Sequence, residues 1–341
     1  MNFIFDTYIY ISLFIFFIIL MIELNRTNKN SNFKKSQYNI IFYSTIFIIS
    51  IIFGLRDESF GSDTPRYLYF IENPYDISVF SILSDQGYIF LVNFFRFFFN
   101  FKITSILISF TAIILLFKGY RNICGDRSLF LVPLVLSFFA FIDLNSNLIK
   151  TSLSLGCFIF AVSRKRGTYK YIFYTLAIFF HFSSLICLII YSLRKHFKTK
   201  ILFFVWIVSN LISYLLSNFI TSFISIIDID FFSKAGILNI INNVDYEVGY
   251  KLKFSVFSFL AIVPFLKEII NNKNFYLINY YLIMNSIFIL AYNIPYSNRI
   301  GILSFIVMPI LLYQGFSENK KTSFFMPVLI LLFFILSYNI L

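Results

Sequence analysis

Apolar runs recur along the whole chain from Phe3 to Ile340, each closed by a short polar stretch. They are roughly 16 to 21 residues long, and a helix needs about 20 apolar residues to cross the hydrocarbon core of a bilayer. In lipid every backbone N–H and C=O must be satisfied within the protein, so such runs fold as helices packed in a bundle. A β-barrel would alternate apolar and polar residues over short segments, and these runs do not alternate. Composition agrees: 13% of residues are charged, against about 25% in a soluble globular chain. The first run, from Phe3, has no basic start and no small-residue cleavage site, so it reads as a retained helix rather than a signal peptide.

The net charge of +12 would suggest a nucleic-acid partner if the cations were clustered on one soluble face. Instead 19 of the 28 Lys and Arg fall in short loops between apolar runs. These are Arg26, Lys29, Lys34 and Lys35; Lys118, Arg121 and Arg127; Arg164, Lys165, Arg166 and Lys170; Arg194, Lys195, Lys198 and Lys200; Lys267 and Lys273; Lys320 and Lys321. Basic loops of this length stay cytoplasmic. The charge therefore reports orientation, and no nucleic acid is expected.

Fitting spans between those loops gives 3–23, 38–54, 102–117, 129–143, 147–163, 201–219, 253–268, 275–293, 299–315 and 324–340. The expected fold is all-α, a polytopic bundle of about ten spans with both termini outside. Gly87 to Asn100 would form a helix only about 21 Å long and carries Arg96, so it is expected to be interfacial or partly sunk. The stretch 171–193 is long enough to cross but has basic flanks on both sides. A re-entrant or broken hairpin turning near His181 to Ser184 reconciles the two, since broken backbone is tolerated at depth inside a bundle. The chain is expected to be one membrane domain, 1–341, with hydrophilic outer loops at 55–86 and 220–252 and no soluble domain. The two halves show no repeat, which counts against inverted-repeat transporters.

Other chemistries find little support. Cys124, Cys157 and Cys187 are widely spaced, so neither a disulfide framework nor a zinc site is suggested, and the two histidines lack an HExxH spacing. No metal and no cofactor are expected. Asp228-Ile229-Asp230 resembles a metal-nucleotide-sugar motif but falls in an outer loop, where it reads as solvated acid. Asp245, Glu247 and Tyr250 of that loop are candidates for contact with acceptor sugar.

Four cations oppose the orientation rule. Arg56 follows the second span, Arg66 lies in the loop after it, Lys150 sits about a turn into the fifth, and Arg299 opens the ninth. All four are expected at the outer face, where they either pair with Asp57, Glu58, Asp63 and Asp143 or form an anion site. Guanidinium groups bind phosphate oxygens with two parallel bonds, so a lipid-linked pyrophosphate fits the second reading. Gly61-Ser62-Asp63-Thr64-Pro65-Arg66-Tyr67 combines close backbone approach with acceptors for sugar hydroxyls. His181, within Phe179-Phe180-His181-Phe182-Ser183-Ser184, is either a satisfied core residue or a phosphate ligand and proton shuttle.

Gly54-Leu55-Arg56, Gly61-Ser62-Asp63-Thr64 and Tyr67 resemble the signature of EpsG-type, Wzy-like polysaccharide polymerases. The order continues with Gly87-Tyr88, Asn147-Leu148-Ile149-Lys150, Phe179 to Ser183 and Asn298-Arg299. The family usually has Arg-Gln where this chain has Lys150-Thr151. The resemblance implies a metal-independent glycosyltransferase at the outer face of the bacterial cytoplasmic membrane. Its substrate would be an oligosaccharide repeat unit on undecaprenyl pyrophosphate, with a flippase and a chain-length regulator as partners and capsule, O-antigen or exopolysaccharide as product. In that reading Arg56, Lys150 and Arg299 stabilise the leaving pyrophosphate, with Arg66 supporting and Tyr67 beside the substrate. Asp63 is the first candidate for the base and His181 the second. The alternatives are a glycan ligase or acyltransferase, and a flippase or transporter, which would need a polar track across the bilayer.

Overall fold

The computed structural model describes residues 3–27, 35–61, 63–74, 85–125, 129–164, 167–224, 252–292, 297–317 and 325–340. Ser62, the acidic run Asp228 to Asp230, Asp245, Glu247, Tyr250 and the loop cations Lys29, Lys34, Arg127, Lys165, Arg166, Lys320 and Lys321 lie outside the described residues. The described chain is helical throughout and contains no strand, so the protein is the all-α membrane bundle its hydropathy implies. Five of the described segments are long and apolar enough to cross a membrane: Asp6–Glu23, Ser36–Gly54, Phe101–Cys124, Thr199–Leu216 and Ser297–Phe316. Ile149–Val162, Ser183–Leu193, Tyr276–Leu290 and Phe325–Ser337 are shorter apolar helices.

The chain packs as two compact units. The first comprises 1–189 and 313–341. It contains α1 (Phe3–Thr27), α2 (Lys35–Gly54), a 3-10 turn at Glu58–Phe60, α3 (Thr64–Glu72), α4 (Gln86–Phe98) and α5 (Phe101–Cys124). After these come α6 (Leu131–Leu136), α7 (Phe139–Ser146), α8 (Ile149–Val162), α9 (Thr168–Phe180) and the start of α10 (Ser183–Leu193). Helix α5 is its axis, packed against α2 and α8, with α9 beyond α8. Close approach on both sides of α5 depends on small residues. A Cβ on Gly54 would lie 2.5 Å from the Ile106 Cα, and one on Gly156 would lie 3.0 Å from the Ala112 carbonyl oxygen.

The expected span at 129–143 is not one helix. It breaks at Ser137 and Phe138 into α6 and α7. Unpaired carbonyls at a break are costly in an apolar interior, and here remote side chains take them up. The Tyr8 hydroxyl donates to the Leu136 carbonyl at 2.7 Å, and the Ser337 hydroxyl donates to the Ser137 carbonyl at 2.6 Å. Helix α4 does form where a short helix is expected. It buries Gly87, Tyr88, Ile89 and Val92 and exposes Phe90, Phe94, Phe97 and Phe98.

The second unit, 190–312, contains the end of α10, α11 (Thr199–Ile224), α12 (Leu252–Leu260), a 3-10 turn at Val263–Phe265, α13 (Leu266–Ile270), α14 (Tyr276–Leu290), α15 (Ser297–Phe305) and the start of α16 (Met308–Ser317). Here α14 is central, flanked by α11 and α15. The expected span at 253–268 is interrupted at Pro264, which lacks the N–H needed to continue the ladder. The last helix, α17 (Phe325–Ile340), returns to the first unit and packs on α6 and α7.

Candidate functional site

The motif residues of the first unit meet at one end of its bundle. Helix α2 ends there, α5 and α8 begin there, and α4 starts beside the end of α9. Three contacts tie these ends together. Gly61 faces Asn147 so closely that a Cβ would overlap the Asn147 Oδ1. The Thr64 hydroxyl donates to the Ser146 carbonyl at 3.0 Å. Gly87 abuts the last turn of α9, where a Cβ would come within 2.8 Å of the Phe179 carbonyl oxygen.

At the opposite end of the same helices lie the described cations Lys118, Arg121, Arg164 and Lys170. Arg121 donates to the Asn39 Oδ1 at 2.7 Å and stacks on Phe42, and Asn122 donates to the Ser163 hydroxyl at 3.2 Å. The two ends therefore differ in kind: one is a basic collar, the other a mixed polar cluster.

At the centre of that cluster is Asp85, which the sequence reading did not single out. Its side chain is 2% exposed and bridges two partners. Lys150 Nζ donates to Oδ2 at 2.7 Å, and His181 Nδ1 lies 3.3 Å from Oδ1. Burial works to raise the Asp85 pKa, but the hydrogen bonds and charges of His181 and Lys150 outweigh it and hold the carboxyl below its usual range. The structure thus gives Lys150 an acidic partner other than the four considered. Of those, Asp143 accepts from Asn147 Nδ2 at 2.7 Å, while Asp57 and Glu58 are exposed.

His181 owes its position to a helix break. Helix α9 stops at Phe180, His181 is extended at φ −162° and ψ 128°, and α10 restarts at Ser183. The interruption falls where the sequence suggested a broken hairpin. Serine hydroxyls brace it on both sides: Ser154 donates to the Ala177 carbonyl at 2.8 Å, which the His181 N–H also bonds, and Ser184 donates to the His181 carbonyl at 3.0 Å. The imidazole remains a quarter exposed on its side chain, so one ring edge faces Asp85 and the group stays accessible.

Arg56 is the other unusual residue. It is 4% exposed, and Nη1 donates to the Phe53 carbonyl at 2.6 Å. Its Nε and Nη2 are buried and find no hydrogen-bond partner among the described residues. Burial lowers its pKa, opposed in part by the neighbouring Tyr88 and Tyr67. The rings of Tyr67 and Tyr88 meet edge to face at 5.7 Å, and Tyr88 in turn senses the charge of Asp85. Arg56, Tyr67, Tyr88, Asp85, Lys150 and His181 therefore form one continuous neighbourhood.

Within the first unit, Asp63 and Arg66 are placed less centrally. Asp63 is half-buried at the N-terminus of α3, where its side chain makes no capping bond, and Arg66 is exposed one turn on. Arg299 is exposed at the start of α15 in the second unit, its backbone N–H bonded to the Asn298 Oδ1 at 3.0 Å. Asp85 and His181 are two groups of the type a metal uses, but among the described residues no three His, Cys, Asp or Glu gather.

The profile of the EpsG family matches residues 39–341. The chain belongs to the EpsG family. No curated protein and no solved structure matches it. The match takes in every element of the polar cluster, from Arg56 to His181, as well as Arg299. With the apolar helices, EpsG membership makes this a polysaccharide polymerase-like membrane protein.

Proposed function

We propose that the protein elongates polysaccharide at the outer face of the bacterial cytoplasmic membrane, using repeat units carried on undecaprenyl pyrophosphate. The observation that carries this reading is Arg56: a buried guanidinium with two N–H-bearing nitrogens left unpaired among the described residues. Burying a cation without a partner costs several kcal/mol, roughly, so such a group is kept where an anion completes it. The planar fork suits a phosphate oxygen pair.

The basic collar at the other end of the same helices supports the orientation. By the positive-inside rule that end faces the cytoplasm, so the polar cluster faces out. A flippase would need a polar track joining both ends, whereas the first unit gathers Arg56, Lys150, Asp85 and His181 at one. That favours group transfer over transport.

In the transfer, the pyrophosphate gathers negative charge as its bond to the sugar breaks. Arg56 would stabilise that charge, with Lys150 and Arg66 as further cations of the same unit. Tyr67 walls the Arg56 site. Asp63, on the turn before α3, would orient hydroxyls of the acceptor. The lipid would lie along exposed apolar helix faces, and a flippase and a chain-length regulator would act before and with the polymerase.

Gel analysis of surface glycan after deleting the gene tests this, with the lipid-linked pool profiled alongside. Loss of long polymer while single repeat units still reach the outer leaflet is expected. Repeat units trapped on the cytoplasmic side would make the protein a flippase, and an unchanged glycan would end the polysaccharide reading.

A further inference from the structure

We propose that His181 is the catalytic base of the transfer and that Asp85 is its positioning residue, holding the imidazole in the tautomer that accepts the acceptor hydroxyl's proton. This rests on the polymerase reading and assigns the proton transfer within it.

Three observations carry it. First, Asp85 stands at the N-terminus of α4, where an aspartate ordinarily accepts a backbone N–H of the first turn. Here it makes no side-chain capping bond, although its carbonyl still accepts from Ile89 at 3.0 Å. The carboxylate has turned away from its own helix and given its two oxygens to Lys150 and His181. A residue serving only the helix would cap it.

Second, the contact selects one ring nitrogen. A carboxylate is acceptor only, so Nδ1 must carry the hydrogen that faces Oδ1, leaving Nε2 with its lone pair. The 3.3 Å separation is long for such a bond, as catalytic hydrogen bonds commonly are before substrate arrives. Third, the ring is presented by a helix break that the Ser154 and Ser184 hydroxyls brace at the Ala177 and His181 carbonyls, so the local backbone is held without using the imidazole. His181 is free to face a ligand, and it is partly exposed.

The step balances as follows. The acceptor oxygen forms a bond to the anomeric carbon of the growing chain as the bond from that carbon to pyrophosphate breaks. The electron pair leaves with the pyrophosphate, towards Arg56. The acceptor's proton passes to His181 Nε2 and is later returned to solvent or to the released pyrophosphate. Asp85 stabilises the imidazolium that forms but takes no proton itself.

The test uses the full chain in phospholipid vesicles, supplied with the lipid-linked pool extracted from cells lacking the gene. Polymer length and released undecaprenyl pyrophosphate are both followed. Asp85→Asn keeps an acceptor for Lys150 but turns a donor towards Nδ1, forcing the proton onto Nε2. It should lower kcat by roughly 10²- to 10⁴-fold while KM for the lipid-linked donor stays near wild type. His181→Gln should show a similar loss, and the double variant no further one. Asp85→Glu, which keeps the charge facing Lys150, should recover part of the rate and serves if Asp85→Asn melts below the assay temperature. Wild-type turnover in Asp85→Asn, or losses that multiply in the double variant, would overturn the assignment and leave the polymerase reading standing. Wild-type protein that releases no undecaprenyl pyrophosphate and makes no polymer would overturn both.

Discussion

Arg56 in the first unit and Asn285 in the second are both buried polar side chains in an apolar bundle, and their surroundings treat them oppositely. Asn285 is satisfied on every side. Its Nδ2 donates to the Ser258 and Ser304 hydroxyls at 3.0 and 3.1 Å, and its Oδ1 accepts from Trp206 Nε1 at 2.8 Å. Ser304 passes its own hydrogen to the Gly301 carbonyl at 2.8 Å. The network joins α11, α12, α14 and α15, carries no net charge, and ends within itself. Arg56 has one bond, to its own preceding turn, and two buried nitrogens with none among the described residues. A closed network specifies packing, whereas an open one stores the capacity to bind.

The largest expected effect separates the two. Arg56→Met should cut polymer formation by about 10²- to 10³-fold, the usual scale for removing a charge-stabilising group. Its melting temperature should stay level or rise, because an uncompensated buried charge has been replaced by an apolar chain. Asn285→Leu should do the reverse. It strands the Trp206 N–H and two hydroxyls, costing about 1–3 kcal/mol for a stranded donor, with rate per folded molecule retained. Melting curves in detergent, paired with the vesicle assay, read both quantities. Equal stability losses in the two variants would erase the contrast.

A second test probes the wall of the site. Gly87→Val would drive side-chain carbons into the Phe179 main chain, whose carbonyl oxygen lies only 2.8 Å from where a Cβ would stand. Pushing α4 off the end of α9 separates Asp85 from His181, and a displacement near 1 Å can cost roughly a hundredfold in rate. Gly125→Ala is the control: it follows α5 at φ 96° but has open space around it. It should lower stability slightly through backbone strain and leave rate alone. A Gly87→Val enzyme with normal turnover would show that the α4–α9 contact does not set the site.

The pH response should differ between the units more modestly. Asp85 has a folded pKa below its unfolded one, held there by His181 and Lys150 against burial. Its contribution to stability is therefore complete above the unfolded carboxylate range of about 4 and fades as pH falls through the lower folded value. Melting temperature should drop over that acid window in wild type and flatten there in Asp85→Asn. The Asn285 network titrates nothing, so Asn285→Leu should keep the wild-type slope.

Much of this was legible in the chain itself, for physical reasons. Bilayer thickness imposes run lengths, so α1, α2, α5 and α11 are readable from hydropathy alone. A cation outside the basic loops that separate the apolar runs is conspicuous against that background, which is why Arg56 and Lys150 stand out. Asp85 does not, because acids are ordinary in a hydrophilic loop and its partners lie 65 and 96 positions away. A signal was present in Asp85-Gln86-Gly87-Tyr88, an acid at a helix start beside the Gly-Tyr pair, but only the fold brings it to His181. The break at Ser137 is similarly hidden. Nothing local forces it, and the groups that make it tolerable, Tyr8 and Ser337, are 128 and 200 positions distant.

The smallest expected effect concerns the two cations as a pair. Lys150 holds Asp85 through one nitrogen at 2.7 Å, which an ammonium does as a point charge. Lys150→Arg keeps that charge and adds reach, so its rate should change by less than about fivefold, the equivalent of roughly 1 kcal/mol. Arg56→Lys should cost far more. Its Nη1 bond to Phe53 and the two unpaired nitrogens describe a fork that an ammonium cannot reproduce. Swapping arginine and lysine in opposite directions thus asks the same question twice, and unequal answers are expected. Equal losses in the vesicle assay would mean that both positions act through charge alone, and Arg56 would lose its claim to a two-pronged phosphate grip.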